Sequence, residues 1–141
     1  MRPVVINYLA VFASTLAGFI LGWIWYGPLF GKQWKALEGF TDEKMKAMKM
    51  SPVTAMVGGF ITSFLMSFVL AHSIVFASAY FGMSGLSSGL MSGLWNWLGF
   101  VVPVSAGIVL WEGKSWTLLF LNLAYWLVSL LAMGTILCVW R

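Results

Sequence analysis

Four stretches of this chain are each long and apolar enough to cross a bilayer, and together they leave little sequence for anything else. A spanning helix needs about twenty mainly apolar residues. Val4 to Tyr26, Pro52 to Tyr80, Leu86 to Trp111 and Trp116 to Trp140 each supply such a run, parted by turn or charge signals. With 61% of its 141 residues hydrophobic and 9% charged, the chain carries more apolar surface than one soluble core of this size hides. The expected fold is all-α: an integral membrane bundle of four transmembrane helices, forming one domain over residues 1–141, with a short amphipathic helix between the first and second spans. The first run is too long for a signal-peptide core and has no small-x-small site before Trp23, so it is expected to stay as an uncleaved span.

Lysine placement sets the expected orientation, because cytoplasmic loops keep positive charge. Lys32, Lys35, Lys44, Lys46 and Lys49 follow the first span and Lys114 follows the third, while only Arg2 and Arg141 fall on the other side. Both termini are therefore expected outside, with the lysine-rich loop in the cytoplasm. The aromatic belt agrees: Trp23, Trp25, Tyr26, Trp34, Trp111 and Trp116 gather at the inner boundary, and Tyr80 and Trp140 at the outer one. Trp95, Trp97 and Trp126 sit too deep for a belt.

Within the lysine loop, Thr41 is placed to cap a helix and Asp42 and Glu43 suit its positive end. Met45 and Met48, flanked by Lys44, Lys46 and Lys49, form a pattern that fits anionic lipid headgroups as well as it fits a solvated connecting helix.

Spans cannot associate by hiding leucine from lipid, so they pack where small side chains let backbones approach. Ser14, Gly18 and Gly22 in the first span, Gly59, Ser63 and Ser67 in the second, and Gly85, Gly89 and Gly93 in the third recur every four residues. These glycine-zipper stripes fit packing within the chain or between copies in a homo-oligomer. The fourth span has no such stripe and is expected to be the most lipid-exposed.

Few residues can carry chemistry. Glu38, Asp42, Glu43 and Glu112 all fall in loops or at a boundary, which leaves no carboxylate in the hydrocarbon for proton-coupled exchange or acid/base work. His72 and Asn96 lie at similar depth, about 12 and 15 Å from the outer helix ends, and as a pair would make either a polar ligand site or packing glue. Asn122 and Tyr125 share a face that approaches Tyr26 or Glu112, again as a ligand site or as interhelical hydrogen bonding. Pro103 frees the carbonyl of Gly99 and predicts a kink in the third span.

The lone Cys138 excludes an intrachain disulfide and multi-cysteine metal sites, and the sequence implies no cofactor. No phosphate-binding glycine loop, Ser/His/Asp set or basic groove occurs, and the net charge of +4 is mostly one lipid-facing loop, so nucleic acid is not an expected partner. GKQW at Gly31 to Trp34 and GKSW at Gly113 to Trp116 form a faint repeat that would relate the two hairpins by an axis along the membrane normal.

NYLAV at Asn7 to Val11, WYGPLFGKQW at Trp25 to Trp34, WLGF at Trp97 to Phe100, and Asn122 with Tyr125 ahead of Met133-Gly134 resemble a small bacterial membrane family known as domain of unknown function seventeen sixty-one. The resemblance covers nearly the whole chain, and its most specific block is WYGPLFGK. It implies a four-helix membrane protein in bacteria, for which the inner membrane is the expected location, and brings no site residues with it, because the family's activity is itself uncharacterised.

The favoured reading of the sequence is a small homo-oligomeric transporter, channel or membrane ligand-binding protein in contact with membrane lipids. The alternative is a structural or accessory protein that binds lipid or a partner membrane protein. A polar, hydrated cavity at His72 or Asn96 belongs to the first reading and a dry interior to the second. An enzyme is least favoured, since no nucleophile, metal set or acid/base pair is evident.

Overall fold

The computed structural model describes residues 3–140, so Arg2 and Arg141 of the orientation argument lie outside the described residues. Among those described there is no strand, and four helical spans are long and apolar enough to cross a membrane: Tyr8–Leu29, Pro52–Phe81, Leu86–Leu110 and Trp116–Val139. The last three agree with the apolar runs to within a residue, while the first runs three residues past Tyr26 and its helix, α1 (Tyr8–Ile24), begins four residues later than Val4. Asn7 is the reason. Its Oδ1 accepts from the N–H groups of Leu9 and Ala10 at 3.0 and 3.3 Å, satisfying two donors that a helix start leaves bare. Its Nδ2 donates to the carbonyl of Trp140 at 3.3 Å, so the same residue ties the beginning of the first span to the end of the last.

The first span closes with a π-helical turn, Trp25–Leu29, that contains Pro28. Proline has no N–H to give the carbonyl four residues back, and the chain resumes bonding one residue wider, with Phe30 N–H donating to the Trp25 carbonyl at 2.8 Å. Two short helices follow in the lysine loop, α2 (Gly31–Glu38) and α3 (Asp42–Lys46), where the sequence predicts one. Gly39 at φ 74° ends α2, and Thr41 caps α3 by accepting from Lys44 N–H at 3.1 Å.

The second span is a single helix, α4 (Pro52–Phe81), capped by Ser51 and opened by Pro52 at its first turn. At 1.5 Å per residue it is roughly 45 Å long, more than the ~30 Å hydrocarbon layer, so it tilts or projects beyond it. The third span is broken: α5 (Leu86–Asn96), a π-helical turn (Trp97–Val101), then α6 (Val102–Leu110) with Pro103 at its start. The interruption predicted from Pro103 is thus a widened turn just ahead of the proline. The fourth span is α7 (Trp116–Val139), capped by Ser115.

The packing order corrects one expectation. The last span is the most buried, not the most exposed, with Leu118, Leu123, Tyr125, Ser129, Met133 and Leu137 among its interior residues, whereas α6 buries none. The stripes on the other spans explain this. Gly18 of α1 lies against Met133, Gly22 against the Tyr125 hydroxyl, Gly93 of α5 against the Leu130 carbonyl, and Gly89 against the main chain of Gly134. Small residues on two helices make the space that large residues of a third helix fill.

The α1–α4 contact is polar at its centre. The carbonyl of Val11 accepts from Thr15 Oγ1 at 2.7 Å, Ser67 Oγ at 2.9 Å and Ser14 Oγ at 3.2 Å, and the Ser14 and Ser67 hydroxyls touch. Ser63 is also buried, while Gly59 meets only Phe19. Gly85 departs from the expected stripe: it is the residue before α5, at φ 63°, facing open space. It serves the turn, because an L side chain rarely adopts that conformation.

Candidate functional site

The polar residues that the sequence singles out fall in two places. At the lysine-bearing end, the π turn after α1 presents Tyr26 to α7, and the Tyr26 hydroxyl donates to Asn122 Oδ1 at 2.8 Å. Tyr125, one turn further along α7, packs edge-on to Tyr26 with ring centroids 5.0 Å apart and donates to the Gly18 carbonyl at 3.2 Å. Trp34 closes on Tyr26 at 5.3 Å and Phe40 on Trp34 at 5.4 Å, so α2 is held onto the bundle by a row of rings. The Nε1 of Trp25 is buried there without a hydrogen-bond partner. Tyr26, Asn122 and Tyr125 therefore meet as the spacing predicts, and Glu112 lies exposed, outside their contacts.

Two contacts escape a reading of the sequence. Lys114 Nζ lies 3.3 Å from Glu38 Oε2 and donates to the Glu38 carbonyl at 3.3 Å, linking the loop between the third and fourth spans to the end of α2. Trp97, too deep for a belt, donates through Nε1 to the Leu123 carbonyl at 2.9 Å.

The second place is the middle of the membrane, and here one expectation fails. His72 and Asn96 do not pair. His72 Nδ1 lies 2.8 Å from the Phe68 carbonyl, which can only accept, so Nδ1 carries the hydrogen; the ring packs against Phe68 at 4.4 Å and Phe76 at 6.4 Å. Phe68 in turn faces Tyr8 of α1. Ser73, a hundred degrees further round α4, lines a cleft together with Ser92, Trp95 and Asn96 of α5. His72 is a flank residue in a row of rings, not part of the α4–α5 seam.

Asn96 does sit in that seam. Its Nδ2 donates to the Ser92 carbonyl at 2.8 Å, which leaves its Oδ1 and one N–H uncommitted. Two lateral clefts meet at this residue. One, of about 450 Å³, runs between Leu65, Val69 and Leu70 of α4 and Phe100 and Val101 of the π turn. The other, of about 430 Å³, runs toward the α4–α5 turn between Ser73, Ala77 and Phe81 on one side and Ser92 and Trp95 on the other. Ser92 is 5% exposed, and its hydroxyl is buried without a hydrogen-bond partner.

The bundle axis is closely packed at the positions where the spans touch. Gly89 against Gly134, Gly93 against Leu130 and the Val11–Ser14–Ser67 contact close it with main chain and hydroxyls already in use. A further cup of about 560 Å³ lies at the end opposite the lysines, walled by Val5, Ile6, Ala71, Ile74 and Leu137. Among the described residues no three His, Cys, Asp or Glu side chains come together as a metal site.

Four apolar spans, a closed axis and polar groups spent on interhelical bonds define a multi-pass helical membrane protein. Over residues 9–138 the chain matches the family described as Protein of unknown function (DUF1761), and it belongs to that family. No curated protein and no solved structure matches it.

Proposed function

We propose that this is a membrane ligand-binding protein whose ligand approaches sideways from the bilayer, at the seam between α4 and α5, rather than passing through the four-helix bundle. One contrast supports the reading: the axis is closed by contact between Gly89 and Gly134, while the seam opens into two clefts that share Asn96. Asn96 keeps its amide oxygen and one N–H free at this seam and Ser92 keeps a buried, unpartnered hydroxyl beside it, and unpaired polar groups in hydrocarbon are costly enough to mark function. Homo-oligomer formation fits the same arrangement, because the third span is the least covered by its own chain. The bacterial inner membrane is its proposed site, with the lysine loop cytoplasmic, where Lys44, Lys46 and Lys49 meet anionic headgroups.

The alternative, a structural or accessory protein, draws on the ring-lined end at Tyr26, Trp34 and Tyr125, which spends its polar groups on holding α2 against α7. Native mass spectrometry of protein released from nanodiscs separates the two. A reproducible non-phospholipid molecule retained per chain supports ligand binding; phospholipid alone, at any copy number, supports the structural role.

A further inference from the structure

The two clefts differ from ordinary lipid-facing grooves in what lies at their junction, and this narrows the ligand. Ten residues into α5, Asn96 is roughly 15 Å below the α4–α5 turn and so near the bilayer midplane. Its Oδ1 and one N–H have no partner, and Ser92, one turn above it and 5% exposed, keeps a buried hydroxyl that also has none. Phospholipid chains have no group to offer at that depth.

The walls supply the other constraint. Leu65, Val69, Phe100 and Val101 extend the seam on one side of Asn96, and Ala77 and Phe81 on the other. Among the described residues, no charged side chain borders either cleft. An ionised headgroup drawn to Asn96 would lose its hydration with no counter-charge to replace it. A neutral hydroxyl loses far less and can both donate to Oδ1 and accept from the free N–H.

Building on the reading of the seam as a ligand site, we infer that its occupant is an uncharged long-chain lipid alcohol, lying along α4 and α5 with its hydroxyl on Asn96 and beside Ser92. Asn96 would set the depth of the hydroxyl, and the apolar walls would hold the chain.

The test uses the full chain in nanodiscs and two photoactivatable probes: a long-chain alcohol carrying a diazirine in its chain, and its methyl ether, which has no hydrogen to donate. Labelled peptides are located by mass spectrometry. The alcohol is expected to label residues 65–77 and 91–101 in preference to other lipid-facing segments, and the ether about fivefold less, the worth of one net hydrogen bond. Asn96→Leu is expected to remove the difference between the probes. Ser92→Ala, which changes little in volume, is expected to reduce it and keeps the test valid if the Asn96 variant does not assemble. Equal seam labelling by both probes would overturn the alcohol assignment and leave the seam as a ligand site. Uniform labelling of all lipid-facing helices by both probes would overturn the seam itself.

Discussion

The main chain of Gly89 in α5 rests directly on the main chain of Gly134 in α7, with each glycine's carbonyl in the space where the other's side chain would grow. That contact closes the bundle toward the end opposite the lysines and makes α7 its central helix. Adding a side chain at either position must push the helices apart, because the obstacle is backbone and cannot rotate away.

Gly89→Leu is therefore expected to destabilise the protein by at least the ~1–3 kcal/mol typical of overpacked interiors. Gly99→Leu, at a position with nothing within 4 Å, is expected to leave the unfolding midpoint in detergent nearly unchanged. Similar loss for both variants would mean that the Gly89 contact is not special.

The hydrogen bond from Tyr26 to Asn122 joins residues 96 positions apart and holds the π turn against α7. Tyr26→Phe, Asn122→Leu and the double variant form a cycle in which a coupling of about 0.6–1.7 kcal/mol is expected, the range for interhelical bonds in membranes. Strictly additive losses would show that the ring contacts, not the hydrogen bond, hold this end together.

Lys114 reaches Glu38 from another loop, but the pair is partly exposed to solvent. Lys114→Gln is expected to cost less than ~1 kcal/mol while raising proteolysis or amide exchange across Gly31–Glu38. A large loss of global stability with no local loosening would contradict the view that this pair only anchors α2.

Replacing Lys44, Lys46 and Lys49 together with Gln is expected to lower co-purification of anionic over zwitterionic lipid, at about 1 kcal/mol per lysine near a charged surface. Unchanged lipid selectivity would make the loop a solvated connector.

Spans and caps were legible in the sequence because bilayer thickness fixes helix length and because Thr41, Pro52 and Pro103 act locally. The meeting of Tyr26, Asn122 and Tyr125 was also legible, since helical spacing put the two α7 residues on one face. The central position of α7 was not. A small-residue stripe marks where another helix comes close, but it does not say which helix, and α7 answers the stripes of α1 and α5 with Met133, Tyr125 and Gly134. The His72–Asn96 pair failed for a related reason: equal depth says nothing about rotation, and one residue of offset on α4 turns His72 to the Phe68 flank. Neither cleft follows from helical spacing, because each depends on how two helices lie side by side: one is walled by α4 and the π turn, the other by α4 and α5.

The closed axis is the central claim, and solvent reactivity tests it most directly. In a Cys138→Ser background, single cysteines at Ser67 and Ser129, both fully buried between the spans, are exposed to a small water-soluble maleimide in native membranes. The account predicts no labelling at either position, with a cysteine at Lys46 labelled as the positive control. Ready labelling at Ser67 or Ser129 in folded protein would reveal a hydrated path through the bundle and contradict it.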